Sequence, residues 1–413
     1  MTSQIAIFNQ RGVGVASDTV STVTSGAGTK TINNTEKIWE LGGDHLAVVV
    51  ISGNSSINLV DARLLLAEWG KTLPGPMSTV QTYAENFSNW LAAEQGLVPV
   101  HSEAQVALRC LENHYLNLRN RVNSSLDLAD GNEVSATPLL VQYATDAVEY
   151  LKQQPPYSNV TDEFDSAYLN SEDFDLEGLL KNIFDEIPGY ELARSTLAES
   201  GTYVLSRFQP MRFDTTLGFI GFGTDEYFAK SVRMVCRGRY GGTARVVIGD
   251  PFGLTHENID EGVISCFAQQ DAIHGFIRGA HYEVEDLILD SIGDHIFAKY
   301  ENQEEGYAEA RAVVESVREK IRTAISEQYV YPMLELISTL NLRDVAELAS
   351  SLVGIQAMRA NASPEPPGVG GLIESLVIDR VEGVRWVKRL PKLRNVEQWS
   401  DEKKVVQGLP KTF

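Results

Sequence analysis

Cysteine is scarce in this sequence of 413 residues: Cys110, Cys236 and Cys266 are the only three. An odd, sparse set without CxxC spacing excludes a disulfide framework and offers no zinc-ligand pattern. All three lie in apolar contexts that suit core packing better than nucleophilic chemistry. Basic residues are also few, 35 Lys and Arg against 56 Asp and Glu, for a net charge of −21. So acidic a chain lacks the positive footprint that nucleic acid and anionic membranes require, and neither is expected as a partner. Long apolar runs are missing as well: the richest, His45–Ser52, falls far short of the ~20 residues of a membrane span. The opening MTSQIAIFNQRG has no basic region followed by an apolar stretch, so no secretory signal is expected and the cytoplasm is the expected compartment. There is no Walker A motif, no GxSxG elbow and no HExxH pair, nor an internal repeat at solenoid periods.

What remains is ordinary globular composition, 43% hydrophobic and 22% charged, on a chain long enough for two to three domains or one large domain with an insertion. Alternating apolar patterns predict strands at Gln4–Phe8 and Gly12–Ala16, then at Lys37–Leu41 and Leu46–Ser52, with the Ser/Thr/Gly-rich stretch Ser21–Thr35 as loop or irregular strand. Helical periodicity takes over at Ile57–Trp69 and Met77–Ala93. A long helical stretch then runs to about Phe208, including Ala104–Val122, Ala136–Lys152 and Leu176–Ile187. Strands return at Thr215–Phe222, Ser231–Arg237 and Thr243–Ile248. Helices follow at Asp271–Gly279, Glu283–Tyr300, Glu304–Gln328 and Pro332–Arg359, and a hairpin, Leu372–Arg380 with Val384–Leu390, closes the pattern. Strands at both ends and in the middle, separated by helices, predict an α+β fold with sheets assembled from distant segments.

Several chemical signals are weak. Residues 161–191 carry ten Asp or Glu and one Lys. This tract is expected to be a solvated surface segment, since Phe184 stands where a calcium loop starting at Asp173 would need its bidentate Glu. Gly218, Gly221 and Gly223 lack the βαβ context of a dinucleotide fingerprint. Asp271, His274 and His281 can share a helix face, but without a metal-ligand motif they are expected to be ordinary polar side chains on the surface of a helix. No metal and no cofactor are expected.

The strongest constellation lies in the first 53 residues. Thr2 follows Met1 directly, and a small second side chain permits removal of the initiator Met. A free N-terminal Thr carries a hydroxyl nucleophile and an amine base in one residue, and the α-amine titrates near pH 8. Lys37, opening an apolar strand, can hold a positive charge at the hydroxyl. Asp18, ending GVGVASD, can orient Lys37, and Gly53, ending LAVVVISG, can offer an unhindered N–H to an oxyanion.

With these residues in place, TSQIAIFNQRGVGVASD, EKIWEL and LAVVVISGN resemble the N-terminal part of proteasome β subunits and their bacterial relatives. Those are N-terminal-nucleophile (Ntn) threonine hydrolases with a four-layer αββα fold. LGFIGFGTDEYF (217–228) and GVGGLIESLVIDRVEGVRWVKR (368–389) resemble the family's mid-chain strand and closing hairpin. The resemblance covers about 1–95 and 213–390. It implies a helical, acidic insertion at 96–212 that compact members lack, and a polar tail at 391–413. Val369 and Pro366 stand where the family has Ser and Asp before the closing hairpin, and Phe267–Asp271 replaces its Gly-Ser turn; Gln269 or Asp271 are the candidate substitutes.

By resemblance, Thr2 is the nucleophile, Asp18 and Lys37 activate it, Gly53 binds the oxyanion, and Thr35, Trp39, Ile51 and Ser55 line the pocket for the side chain beside the scissile bond. The implied activity is hydrolysis of amide bonds, above all in peptide or protein substrates, by a homo-oligomer. An ATP-dependent unfoldase is a conceivable partner, although no docking motif appears. The alternatives are a non-catalytic, regulatory interaction protein on the same scaffold and an Ntn amidase acting on a small-molecule amide.

Overall fold

A computed structural model describes residues 2–25, 28–93, 96–128, 135–157, 160–169, 174–299, 303–364 and 368–391. In chain order the strands are β1 (Gln4–Asn9), β2 (Gly12–Ser17), β3 (Ser21–Ser25), β4 (Gly28–Ile32), β5 (Ile38–Glu40), β6 (Ala47–Gly53), β7 (Ser56–Ile57) and β8 (Val60–Asp61). They continue with β9 (Thr215–Gly221), β10 (Lys230–Tyr240), β11 (Thr243–Ile248), β12 (Phe252–Gly253), β13 (Val263–Cys266), β14 (Glu374–Asp379) and β15 (Gly383–Lys388). The helices are α1 (Ala62–Gly70), α2 (Val80–Ala93), α3 (Val100–Leu128), α4 (Ala136–Lys152), α5 (Asp162–Leu169), α6 (Leu176–Phe184) and α7 (Arg194–Ser206). After the third run of strands come α8 (Asp271–Arg278), α9 (Tyr282–Phe297), α10 (Gln303–Ile325), α11 (Tyr331–Thr339) and α12 (Leu342–Ala362). None of these helices is long and apolar enough to cross a membrane.

The fold is α+β, with antiparallel sheets built from segments far apart in sequence. One sheet has the order β13-β1-β2-β14-β15 and the other β11-β10-β9-β6-β5, with β12 beside β10. Strand alternation gives each sheet two apolar faces. Ala6, Phe8, Val13, Val15, Leu376 and Ile378 of the first sheet meet Ile38, Val48, Val50 and Ile220 of the second in one buried layer. On the reverse face of the first sheet, Ile5, Ile7 and Ala16 pack against Val345, Ala349 and Leu352 of α12. The reverse face of the second sheet, including Val49, Leu217 and Met234, packs against Leu65 and Trp69 of α1 and Tyr83 and Phe87 of α2. Each fully buried side chain of this size contributes about 1.5–3 kcal/mol. Gly14 in β2 permits the close approach of α12, because a Cβ there would meet the backbone of Ala346.

The helices α3–α7 bury their own apolar cluster, in which Leu111, Tyr115, Leu140, Phe184 and Leu197 pack with Tyr240 of β10. The acidic tract is solvated, as expected, along its charged side, where Asp175, Glu177, Asp185, Glu186 and Glu191 are exposed, but not throughout. Within its described part, Leu179, Leu180, Ile183 and Phe184 join this cluster, and Asp165 is fully buried against Arg245, 2.6 Å away. Burial pushes the Asp165 carboxyl up to about 6, against the attraction of Arg245. Asp173 lies outside the described residues.

Three further expectations are corrected. The helix expected from Ile57 begins only at Ala62, because Asn58 and Leu59 take left-handed φ values of 50° and 66° and turn the short hairpin β7–β8. The helix expected over Pro332–Arg359 is two helices, since the Asn341 side chain caps a new start at α12. The stretch Ser21–Thr35 contains the regular hairpin β3–β4.

His114 on α3 sits 3.1 Å from the Ser200 hydroxyl, and burial pushes its pKa down to about 4. The unfolded chain protonates this imidazole near pH 6.5, the folded chain only near pH 4, so stability falls as pH drops through that window. Urea unfolding at pH 7 and pH 4 should show that His114→Gln loses less stability on acidification than the wild type, by up to about 3 kcal/mol.

Candidate active site

The hairpin β1–β2 brings the two ends of the N-terminal run together, with Gln4 opposite Ser17. Thr2 and Asp18 therefore become neighbours although sixteen positions apart. The Ser3 N–H donates to Asp18 Oδ1 at 3.0 Å, and the Asp18 N–H returns a bond to the Ser3 carbonyl at 3.1 Å. Lys37 enters from the start of β5. Its Nζ donates to Thr2 Oγ1 at 3.0 Å, to Asp18 Oδ1 at 2.8 Å and to the Val20 carbonyl at 2.5 Å. All three donors of the ammonium are thus used, and one of them is aimed at the candidate nucleophile.

Burial makes this arrangement electrostatically sharp. Thr2 is 9% exposed, Lys37 4% and Asp18 0%. Desolvation pushes the Lys37 pKa below the usual lysine range, against the attraction of Asp18. Asp18 is held on its other side by the N–H groups of Val20 at 3.2 Å and Gly370 at 3.1 Å. A carboxylate with this many donors stays where it is put.

The Phe267–Asp271 segment pins the strand that carries Thr2. The Gln269 N–H donates to the Thr2 carbonyl at 2.8 Å, and Ser3 Oγ donates to the Gln269 carbonyl at 3.1 Å. The contact is therefore made by the Gln269 backbone, two residues ahead of α8. Val369, where the resemblance places a Ser, is wholly buried and apolar; the neighbouring Gly370 N–H serves Asp18 instead. Pro366 and Met1 lie outside the described residues, as does the tail from 392.

Thr2, Lys37, Thr35, Ile51, Gly53 and Ser55 line one cleft of 220 Å³. Of the expected lining residues, Trp39 alone is absent. Alternation along β5 turns Ile38 into the layer between the sheets and Trp39 towards the apolar layer of α1 and α2. The cleft also contains Ser21, Ile32, Glu36, Asn54, Asp61 and Arg63, which sequence reasoning did not single out. Arg63 Nη2 lies 3.0 Å from Asp61 Oδ2, and Glu36 is 3.9 Å from Nη1. Burial alone would raise the Asp61 carboxyl, but its hydrogen bonds and attraction to Arg63 bring it below the usual range. Asp61 was detectable as a helix-capping residue ahead of α1, which it is; its place at the cleft depends on the tertiary fold.

Gly53 ends β6 at φ +73, a conformation that side-chain-bearing residues avoid. The Ile51 N–H, two residues earlier on the same edge of β6, donates to the Lys37 carbonyl at 2.8 Å, and the Asn54 N–H turns the opposite way, to the Asp214 carbonyl. Among the described residues no group of three or more His, Cys, Asp or Glu is arranged to hold a metal ion. Asp271, His274 and His281 accordingly form no such cluster.

No protein-family model matches the chain, and no curated protein matches it.

Replacing Asp18 with Ala would leave the Lys37 ammonium buried without its counter-charge. The expected cost is about 3–5 kcal/mol in urea unfolding, above that of Asp61→Ala at the partly exposed rim, where loss of the α1 cap and of a solvent-screened ion pair is expected to cost about 0.5–2 kcal/mol.

Proposed function

We propose that this protein is an N-terminal-nucleophile hydrolase of the proteasome-like kind, acting on amide bonds of peptides. The observation that carries the reading is the Lys37 ammonium, held by Asp18 at 2.8 Å while it reaches the Thr2 hydroxyl at 3.0 Å. The stacking of helices, two sheets and helices agrees with the αββα sandwich that the resemblance implies, and this fold is part of the proposal.

The chemistry follows from the geometry. Removal of Met1 frees the Thr2 amine. The hydroxyl oxygen attacks the substrate carbonyl carbon, and its proton passes to the amine directly or through a water. Lys37 favours the developing alkoxide because its charge is close and poorly solvated. The tetrahedral oxyanion meets the Gly53 N–H. Collapse breaks the C–N bond, and the leaving amine takes the proton from the Thr2 amine. Water then attacks the Thr2 ester, releasing the acid and regenerating the hydroxyl. The cleft, at 220 Å³, suits one side chain of an extended substrate.

A second reading rests on Val369. An apolar, buried residue at the place of a supporting Ser favours a scaffold that has kept the fold and given up catalysis.

Intact-mass analysis with and without a peptide epoxyketone separates the two. Loss of Met1 and a single adduct on Thr2 are expected, with no adduct in folded Lys37→Ala. Met1 retained and no adduct in the wild type would establish the scaffold reading. An undiminished rate of adduct formation in Lys37→Ala would sink the mechanism.

A further inference from the structure

The wall that would receive the oxyanion is fastened from behind by residue 214. The Asn54 N–H donates to the Asp214 carbonyl at 3.0 Å. Gly53 pairs with Thr215 across β6 and β9, and a Cβ on Gly53 would run into that same Asp214 carbonyl. The neighbouring bonds agree: Asn54 Nδ2 donates to the Ser56 carbonyl at 2.9 Å, and Thr215 Oγ1 donates to it at 3.2 Å. The turn 53–56 thus takes its shape from the chain at 214–215.

Residue 214 is in turn fixed by the place where the chain leaves the helices α3–α7. The Asp214 carboxylate is 6% exposed. It accepts from Arg237 Nε at 3.0 Å, from Arg237 Nη2 at 3.2 Å and from the Met211 N–H at 2.8 Å. Arg237, 4% exposed, also donates to the Gln209 carbonyl. Its guanidinium carbon lies 5.8 Å from the ring centre of Tyr157. Tyr157 is tied by its own N–H to the Ser206 carbonyl at the end of α7. A continuous set of contacts therefore runs from α7 through the buried Tyr157, Arg237 and Asp214 to Gly53 and Asn54 at the cleft.

We propose that Asp214 and Arg237 are positioning residues through which the helical insertion sets the Gly53–Asn54 backbone for the oxyanion. The proposal rests on the hydrolase reading for its catalytic consequence, and on geometry alone for the coupling. Oxyanion donors act only when correctly placed, and a displacement of about 1 Å can cost roughly 10²-fold in rate. A salt bridge that merely supported the fold would lower stability without touching the chemical step. A positioning pair lowers the rate of bond formation in molecules that remain folded and still bind.

The test uses the full chain as wild type, Asp214→Asn, Arg237→Lys, and the double variant Asp214→Leu with Arg237→Met. The double variant removes both buried charges together and so avoids stranding either one. Epoxyketone adduct formation gives the maximal rate and the half-saturating concentration separately, and hydrogen exchange reports on the Asn54 amide. In folded Asp214→Asn and in the double variant, the maximal rate should fall at least tenfold. The half-saturating concentration should move less than threefold, and Asn54 exchange should accelerate at least tenfold. Arg237→Lys should fall between these and the wild type. Folded variants with the wild-type maximal rate and unchanged Asn54 exchange would overturn the proposal. If the wild type forms no adduct, the hydrolase reading fails by itself, and the exchange rates alone decide the coupling: unchanged exchange rejects it, accelerated exchange upholds it.

Discussion

The first strands of this protein are organised around one ammonium group out of water. Lys37 Nζ has three donors and three oxygens to meet them, from Thr2, Asp18 and Val20. A buried cation with a single partner is costly, because desolvation exceeds the attraction recovered. Here the carboxylate is itself saturated by backbone donors from Ser3, Val20 and Gly370. The cost of burial is offset across four segments of chain, and each segment is thereby fixed in place. The register of β1 against β2, the start of β5 and the approach of β14 all have to be correct for the charge to be tolerated.

That constraint explains what could be read from the sequence. Thr2, Asp18, Lys37 and Gly53 each sit at a strand end, and strand ends are set by local patterning that a single sequence displays. The two-residue period of QIAIFN and GVGVAS, broken by a short polar turn, fixes which residues face each other. Trp39 was misplaced for a related reason. The pattern gives alternation along β5, but which of the two faces looks into the cleft depends on what packs behind it, here Trp69 and its neighbours. Ile57–Trp69 has the apolar spacing of a helix throughout. Only the left-handed pair Asn58 and Leu59 ends that reading; Asn tolerates that conformation, but a lone Asn among INLV is a weak signal and Leu59 gives none.

Charges were the least legible feature. Asp165 appears in a run of acidic residues that looks like solvated surface, yet its partner Arg245 stands eighty positions away on a strand of the second sheet. Asp61, Arg63 and Glu36 likewise look like surface ions, although the fold gathers them at the mouth of the cleft. Sequence order hides a pair whose members meet only when a sheet closes. The same holds for Asp214 and Arg237, which frame the point where the chain leaves the helices α3–α7.

The bond between Asp18 and Gly370 spans 352 positions. Contacts of such separation form late, because the intervening chain must be ordered before its ends can meet. During synthesis, β1, β2 and Lys37 are complete while most of the chain is still to come, but the carboxylate that restrains the lysine lacks one of its donors until residue 370 has emerged. A half-made chain thus carries Thr2, Asp18 and Lys37 before the buried carboxylate has its full set of donors, and the closing hairpin completes that set last.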